Sequence, residues 1–466
     1  MSWPPIEPSD RRRMSLVIAL VGRPNVGKSS LFNRLVGRRT ALVGSQEGLT
    51  RDRHYGIAHH DARRFVVVDT GGIALGEQGL VGLVSGHALK AAAEADLAVL
   101  VVDARAGLCA DDQAVAEQVR RLGKPVVMAV NKSDGLSPEG AVAEFYALGF
   151  EPIFPTSCTH GLGIEALLAA LLERVPAGVE EDGTDSGTRV AIIGRPNVGK
   201  STLVNRILGE ERMLVYEQPG TTRDSIATPF TRDGNAYVLV DTAGVRRRAR
   251  VDAGVEQWSV VKTLRAIDDA QIVVLVVDGS ESVTEQDLAL LGLVVDSGRG
   301  LVIAVNKWDG LDAVQRQLIK KEVDRRLRFV DFAPLHYISA RHGSGVGDLF
   351  ASIDAAYRSA YAEVSTPQLT RLLERIVEAN PPPLVRGRRV KLRYAHLGGH
   401  NPPRVLVHGS RGQLLPPTYR RYLERSLREA LHLVGTPLRV EFRQGDNPYD
   451  TQSPRRAGRR AHVPAR

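Results

Sequence analysis

The octapeptide Gly-Arg-Pro-Asn-Val-Gly-Lys-Ser occurs twice in this chain, at residues 22–29 and 194–201, 172 residues apart. Each copy fits the phosphate-loop pattern G-x-x-x-x-G-K-[ST], whose glycines let successive backbone N–H groups curl around phosphate oxygens. Gly22, Arg23, Pro24, Asn25, Val26, Gly27, Lys28 and Ser29 form the first loop. Gly194, Arg195, Pro196, Asn197, Val198, Gly199, Lys200 and Ser201 form the second. Lys28 and Lys200 are placed to reach the β- and γ-phosphates, and Ser29 and Ser201 to bind Mg²⁺. An apolar run precedes each copy, at 16–21 and 190–193, and a helical pattern follows. Chance readily gives one such match; it does not readily give two identical copies in the same setting.

The repeat extends well beyond the loops. Thr50-Arg51-Asp52 pairs with Thr222-Arg223-Asp224, and Asp69-Thr70-Gly71-Gly72 with Asp241-Thr242-Ala243-Gly244, at the same offset. Asn131-Lys132-Ser133-Asp134 pairs with Asn306-Lys307-Trp308-Asp309 at an offset of 175, so three residues have been inserted between those blocks. Residues 14–176 and 189–360 are therefore expected to be two homologous domains of ordinary size. Short apolar runs at 65–68, 97–102 and 126–130 are echoed at 237–240, 272–277 and 301–305. Continuous apolar strands separated by helix-length segments predict an α/β fold, a mostly parallel sheet with flanking helices. The motifs sit at the carboxyl ends of these strands, where open α/β sheets bind ligands.

The Asn-Lys-x-Asp blocks select the base. An aspartate carboxylate accepts two hydrogen bonds from guanine, from N1–H and the 2-amino group, whereas adenine offers neither. Sites that leave a buried polar group unpaired reject the wrong ligand by roughly 10⁴–10⁵. Asp134 and Asp309 take this role, Asn131 and Asn306 brace the loop and contact the ring, and Lys132 and Lys307 lie along the nucleotide. A further base-contacting turn is expected at Ser157-Cys158 and at Ser339-Ala340, where a backbone N–H would meet the guanine carbonyl and Cys158 would be tolerated. Asp69 and Asp241 would hold Mg²⁺ through water, with Thr70, Gly71, Thr242 and Ala243 beside them. Gly72 and Gly244 would offer an N–H to the γ-phosphate. Thr50 and Thr222 are the switch hydroxyls that close onto Mg²⁺ while the γ-phosphate is present. The candidate catalytic set is thus Asn25, Lys28, Thr50 and Gly72 in the first domain, and Asn197, Lys200, Thr222 and Gly244 in the second. Many GTPases place Gln after Asp-x-x-Gly to orient the attacking water. Here Ile73 and Val245 stand there, so another positioning device, a partner's side chain or a bound cation must serve.

These tandem blocks, with Thr-Arg-Asp in both switch regions, resemble the bacterial tandem GTPase family called Der or EngA, over residues 14 to 443. The resemblance implies two GTPase domains followed by a KH-like domain, GTP and GDP as ligands with Mg²⁺, a role in maturation of the large ribosomal subunit, and binding to its ribosomal RNA. Similar GTPases with Asn in the phosphate loop and no catalytic Gln use potassium as hydrolytic activator, which points to Asn25 and Asn197. The chain departs from the pattern at Glu47, where Pro is usual, and at Cys158, where Ala is usual; neither change removes a side chain that the chemistry needs.

Charge separates a third region. Residues 361–466 contain 20 Lys/Arg and 8 Asp/Glu, a balance of +12, against −3 for the first 360 residues. A basic module on a nearly neutral enzyme body is the electrostatic footprint of nucleic-acid binding. Its pattern reads helix (367–379), strand (389–395), strand (404–408), helix (419–433), strand (438–443), an α+β order that fits a KH-like domain over 361–446. A standard KH domain clamps RNA with a G-x-x-G loop between two helices. The one match, Gly409-Ser410-Arg411-Gly412, follows a strand and reads as a turn. Arg386, Arg388, Arg389, Lys391, Arg393, Arg420 and Arg421 are the better phosphate-contact candidates, and Tyr394 and Tyr419 read as core before base-stacking residues. Residues 177–188 read as an acidic linker, and 447–466 as a disordered basic tail.

Two cysteines, Cys109 and Cys158, make no disulfide framework and fit a reducing cytoplasm. No apolar run approaches the roughly 20 residues that span a bilayer. Arg11-Arg12-Arg13 precedes an apolar run that leads directly into the phosphate loop, so that run is a strand rather than a signal peptide, and Met14 is a second candidate start. A monomer with no membrane association is expected. A tRNA-modification GTPase would carry an extra catalytic domain, and no segment offers one. A binding protein with one dead GTPase copy conflicts with both copies keeping every ligand-bearing block.

Overall fold

The computed structural model describes residues 16–40, 55–60, 63–70, 86–173, 187–209, 214–215, 227–240 and 260–443. The first sheet is built from β1 (Leu16–Val21), β2 (Tyr55–His60), β3 (Arg63–Asp69), β4 (Leu97–Asp103), β5 (Val126–Asn131) and β6 (Ile153–Pro155), in the order β2-β3-β1-β4-β5-β6. Only β2 runs antiparallel to its neighbour. The helices are α1 (Lys28–Thr40), α2 (Gly86–Glu94), α3 (Ala110–Arg121), α4 (Pro138–Val142) and α5 (Ile164–Glu173). The second copy repeats the plan with β7 (Thr188–Ile193), β8 (Leu214–Val215), β9 (Thr228–Arg232), β10 (Asn235–Val240), β11 (Ile272–Asp278), β12 (Gly300–Asn306) and β13 (Leu335–Tyr337). Its order is β13-β12-β11-β7-β10-β9-β8, the short β8 adding a seventh, antiparallel strand. Its helices are α6 (Lys200–Leu208), α7 (Val260–Asp269), α8 (Glu285–Ser297), α9 (Ala313–Arg326) and α10 (Val346–Ala360).

The apolar runs become strands because both sheet faces are covered. Every residue of β1, β4, β5, β11 and β12 is buried, and each fully buried Val, Leu or Ile contributes about 1.5–3 kcal/mol. In each sheet the strand before the phosphate loop lies between strands reached in opposite directions, β1 between β3 and β4 and β7 between β10 and β11. The loop therefore opens at a topological switch point. By β4 and β11 the offset between copies is already 175. The three-residue insertion thus precedes these strands.

The two copies share one body. Contacts group residues 1–360 with 433–437 as one unit, and 361–432 with 438–466 as another. Within the first unit, α2 packs on α7, and one apolar cluster includes Ala91, Ala92 and Ala95 beside Val261 and Leu264. Arg265 donates to Glu94 O at 3.1 Å and pairs with the Asp96 carboxylate at 2.6 Å. Residues 433–437 also belong to this unit: Leu301 N–H donates to Gly435 O at 2.6 Å and Gly435 N–H to Phe332 O at 2.8 Å. Gly435 has φ +67, and a Cβ there would sit 2.5 Å from Ala356 Cβ.

The second unit is α+β. It contains α11 (Thr366–Ala379), β14 (Lys391–Leu397), β15 (Arg404–Ser410), α12 (Pro417–Ala430) and β16 (Arg439–Arg443), with sheet order β14-β15-β16. Gly409 and Ser410 end β15 and Arg411 turns in the left-handed region with φ +62, so the G-x-x-G match is a strand-ending turn. No helix among the described residues is long and apolar enough to cross a membrane.

Candidate functional site

Each phosphate loop leaves a strand, β1 fully buried and β7 mostly so, and enters a helix through left-handed backbone. Asn25 and Asn197 have φ +65 and +64, Gly27 and Gly199 φ +97 and +98. A Cβ on Gly27 would lie 2.2 Å from Asn131 Nδ2, and one on Gly199 2.2 Å from Asn306 Nδ2. The glycine is required because an asparagine from another strand is packed against the loop. Lys28 is buried and donates to Gly22 O and Arg23 O, both at 2.8 Å. Burial pushes its pKa down and the Asp69 charge works against that. Lys200 donates to Arg195 O at 2.5 Å.

Ser29 Oγ donates to Asp69 Oδ2 at 2.6 Å, and Thr70 Oγ1 to Leu20 O at 2.6 Å. A hydroxyl beside a buried carboxylate is a pair of hard oxygen donors. It fits Mg²⁺, which usually takes one or two protein ligands and keeps waters and phosphate oxygens for the rest. No group of three or more His, Cys, Asp or Glu that could cage a metal occurs among the described residues. Asn25 stands exposed in its loop. Thr50, Thr222, Gly71, Gly72, Ile73, Asp241, Thr242, Ala243, Gly244 and Val245 lie outside the described residues, as do Glu47, most of the 177–188 linker and the 447–466 tail.

The side carrying the Asn-Lys-x-Asp block is wired to the loop. Asn131 Nδ2 donates to Val26 O at 2.9 Å, and its Oδ1 accepts from Cys158 N–H at 3.1 Å. Asn306 repeats both bonds, to Val198 O at 2.8 Å and from Ala340 N–H at 2.9 Å. The asparagines thus brace the site. The Cys158 and Ala340 N–H groups, expected to meet a base carbonyl, are already engaged by them. Lys132 links Asn25 O (2.9 Å) to Asp103 (2.6 Å), and Lys307 pairs with Asp278 at 2.5 Å. Burial opposes the charge on both aspartates, but the lysine hydrogen bonds and backbone donors outweigh it and hold them below the usual carboxylate range.

Ser157 Oγ donates to Asp134 Oδ1 at 2.9 Å, and Arg105 pairs with Oδ2. The Ser157 hydrogen bond is the main cause of a lowered Asp134 pKa. Asp309 is lowered chiefly by Ser339, with His342 Nε2 3.3 Å from its Oδ2. Two ionised carboxylates facing outward can accept a pair of N–H groups from one ligand edge. Cys158 is buried, and burial pushes its thiol up to about 11, leaving it a small apolar filler.

The arginines inside the loops turn away from the phosphate side. Arg23 Nε binds Asp112 at 3.1 Å. Arg195 binds Asp287 at 2.9 and 3.0 Å and Glu281 at 2.9 Å. Asp103, Asp112, Asp278 and Asp287 were not singled out from the sequence. The signal was available, because each pair recurs at the 175-residue offset.

In the second unit, Val385 and Arg388 exchange backbone bonds at 2.9 and 3.1 Å, closing a tight turn with Arg386 and Gly387 at positive φ. Such a turn suits residues at positive φ, and it presents Arg386, Arg388 and Arg389 exposed beside exposed Lys391 and Arg393. Arg421 is also exposed. Arg420 differs: it donates to Leu415 O and Gln413 O and lies 5.3 Å over Phe442, holding the entry to α12. Tyr419 is buried and donates to Asn380 O at 2.6 Å, and buried Tyr394 stacks on His408 at 4.4 Å. Both serve the core.

Residues 17–132 and 189–307 match the family described as 50S ribosome-binding GTPase, and 363–443 the one described as KH-domain-like of EngA bacterial GTPase enzymes, C-terminal. The chain is 53% identical over 438 residues to GTPase Der of Cellvibrio japonicus (strain Ueda107), covering 94% of each. It is 52% identical over 437 residues to GTPase Der of Hahella chejuensis (strain KCTC 2396), covering 94% of this chain and 93% of that one. The FeoB G-domain from Methanococcus jannaschii covers 34% of this chain and is itself covered over 97%, at 26% identity and a TM-score of 0.26, a likeness too slight to carry an argument.

Proposed function

The chain belongs to the GTPase Der family, and from that premise we propose that this GTP-hydrolysing enzyme is a switch acting in assembly of the large ribosomal subunit through RNA binding. Its two GTPase domains bind GTP or GDP with Mg²⁺. The observation that carries the reading is a phosphate loop wired to an ionised aspartate, present twice, in a chain whose residues 361–466, the KH-like module with the segment that follows it, carry a balance of +12. Asp134 and Asp309 read guanine, and Asn131 and Asn306 fix their loops against the phosphate loops. Lys28 and Lys200 turn from loop carbonyls to phosphate oxygens. Ser29 and Asp69 hold Mg²⁺, as do Ser201 and Asp241, with Thr50 and Thr222 joining in the GTP state; the ion neutralises phosphate charge. Gly72 and Gly244 contact the γ-phosphate.

Since Ile73 and Val245 cannot orient water, Asn25 and Asn197 would hold potassium, which would supply positive charge against that developing in the transition state, usually the largest catalytic contribution. Hydrolysis is expected to run faster in potassium than in sodium at matched ionic strength. Arg386, Arg388, Arg389, Lys391, Arg393 and Arg421 contact ribosomal RNA phosphates, and the protein works as a cytoplasmic monomer. The deciding measurement is sedimentation with ribosomal particles in GTP, GDP and a non-hydrolysable GTP analogue. Co-sedimentation with the large subunit that depends on the nucleotide is the expected result. Absence of ribosomal association in every nucleotide state overturns the ribosomal half of the proposal.

A further inference from the structure

One arginine per GTPase domain reaches from the helix behind the phosphate loop to the turn beside the base-reading aspartate. Arg34, on α1, donates from Nε to Cys158 O at 2.9 Å and from Nη2 to Thr159 O at 2.7 Å. Arg206, on α6, donates from Nε to Ala340 O at 3.4 Å and from Nη2 to Arg341 O. The two lie at the 172-residue offset of the repeat. Each guanidinium reaches two successive carbonyls from two different nitrogens held at a fixed planar spacing, which the one nitrogen of a lysine ammonium cannot reproduce.

The opposite side of the same turn is held by other side chains. Cys158 N–H is taken by Asn131 and Ala340 N–H by Asn306. His160 N–H donates to Ser157 Oγ at 3.4 Å and His342 N–H to Ser339 Oγ at 3.2 Å. Ser157 Oγ in turn donates to Asp134. In a trans peptide the C=O and N–H point opposite ways. Drawing the 158 and 159 carbonyls toward α1 therefore turns the next two N–H groups, of Thr159 and His160, away from it. The His160 bond shows that this direction is the side of Ser157 and Asp134. The arginine sets which way the turn's donors face.

We infer that Arg34 and Arg206 are positioning residues for guanine recognition, fixing the peptide planes of the turn that flanks Asp134 in one domain and Asp309 in the other. They act through the turn and touch no nucleotide. The inference deepens the reading that these aspartates select guanine and rests on it. Because the base is common to GTP and GDP, losing the arginine weakens both by the same factor. A contribution through the phosphates or Mg²⁺ separates them.

The test uses the full chain with Arg34→Ala and Arg206→Ala, singly and together, and fluorescent GTP and GDP. The double variant is expected to bind both nucleotides about tenfold more weakly, the scale of a charge-assisted hydrogen bond, mainly through faster dissociation. Arg→Lys restores only part of this, and the melting temperature of the lysine variants stays at the starting value. Inosine nucleotides, which keep the 6-oxo group and lack the 2-amino group, weaken by the same factor. Unchanged affinity in the double alanine variant overturns the proposal, as does a loss confined to GTP or full rescue by lysine. Asp134→Asn with Asp309→Asn reports separately on the reading beneath it. If that pair keeps its preference for guanine over xanthine, the aspartate assignment fails whatever the arginines do.

Discussion

Arg23 and Arg195 occupy the same place in the two GTPase domains, yet their surroundings differ. Among the described residues, Arg23 holds Asp112 through Nε, and its buried Nη2 has no hydrogen-bond partner. Arg195 holds both oxygens of Asp287, and its Nη2 meets Glu281. The helix that supplies each aspartate is capped by Cys109 in the first copy and Thr284 in the second; Thr284 Oγ1 accepts from Asp287 N–H at 3.3 Å, whereas Cys109 offers only a sulfur, a weaker acceptor, to the same position. At the aspartate of the Asn-Lys-x-Asp block, Arg105 reaches Asp134 in the first copy, while its counterpart Ser280 turns back onto Asp278 at 2.6 Å and leaves Asp309 to Ser339 and His342. The bonds that shape the ligand site, from Asn131 and Asn306 to the two loop lysines, match closely. Divergence begins one residue behind them, where a carboxylate, a hydroxyl or a guanidinium can exchange without moving the loop.

The largest expected break in the symmetry comes from the buried aspartates. Asp112→Ala leaves Arg23 without its carboxylate and is expected to cost about 3 kcal/mol, the scale of an uncompensated buried charge. Asp287→Ala costs less because Glu281 remains. Thermal unfolding of the full chain reads this as a greater fall in melting temperature for Asp112→Ala. An equal fall in both means Glu281 contributes nothing.

Exchanging the base-side partners has a smaller effect. Arg105→Ser is expected to raise the first domain's guanine affinity up to about fivefold, since an exposed pair is worth at most ~1 kcal/mol. Ser280→Arg is expected to lower the second domain's affinity. Both changes shrink as salt screens the pair, and titration with GDP at low and high salt checks them.

Capping comes next. Cys109→Thr is expected to stabilise the first domain by about 0.5–1 kcal/mol, seen as a small rise in melting temperature, with no gain from the reverse change at Thr284.

The last test concerns pH. Ser157 and Ser339 hold the aspartates' pKa below the ordinary value, so the ionised carboxylate persists as pH falls and guanine binding is lost only on passing through that lowered value. Ser157→Ala and Ser339→Ala let the pKa rise toward its usual position, and binding fails at a higher pH in each domain. An unmoved acid limb of the GDP-binding profile would falsify the serine assignment.

Much of this was legible in the residues. Strand positions, both phosphate loops and the Asn-Lys-x-Asp blocks follow from apolar runs and motif order, because a strand buried on both faces leaves little choice of residue. The supporting layer was harder to see. Asp103, Asp112 and Arg34 sit in stretches that read as ordinary polar loop or helix surface, and their partners lie 29, 89 and 124 residues away in sequence. Only folding brings such pairs together. Arg420 shows the opposite failure: a basic residue in a basic module reads as a phosphate contact, and its stacking on Phe442 depends on a strand not in sequence range.

Gly435 bears on how the molecule can be divided. The chain leaves the basic unit at 432, lends 433–437 to the GTPase body against Leu301 and Phe332, and returns at 438. A cut after residue 360 therefore removes more than the basic module. It also strips the N–H of Leu301 and the O of Phe332 of their backbone partner, at the start of a central strand. Losses seen after such a deletion belong partly to a damaged catalytic body. A cleaner excision keeps residues 433–437 on a short tether from 360, with the glycine retained, so that the seam is cut on both sides of the borrowed segment.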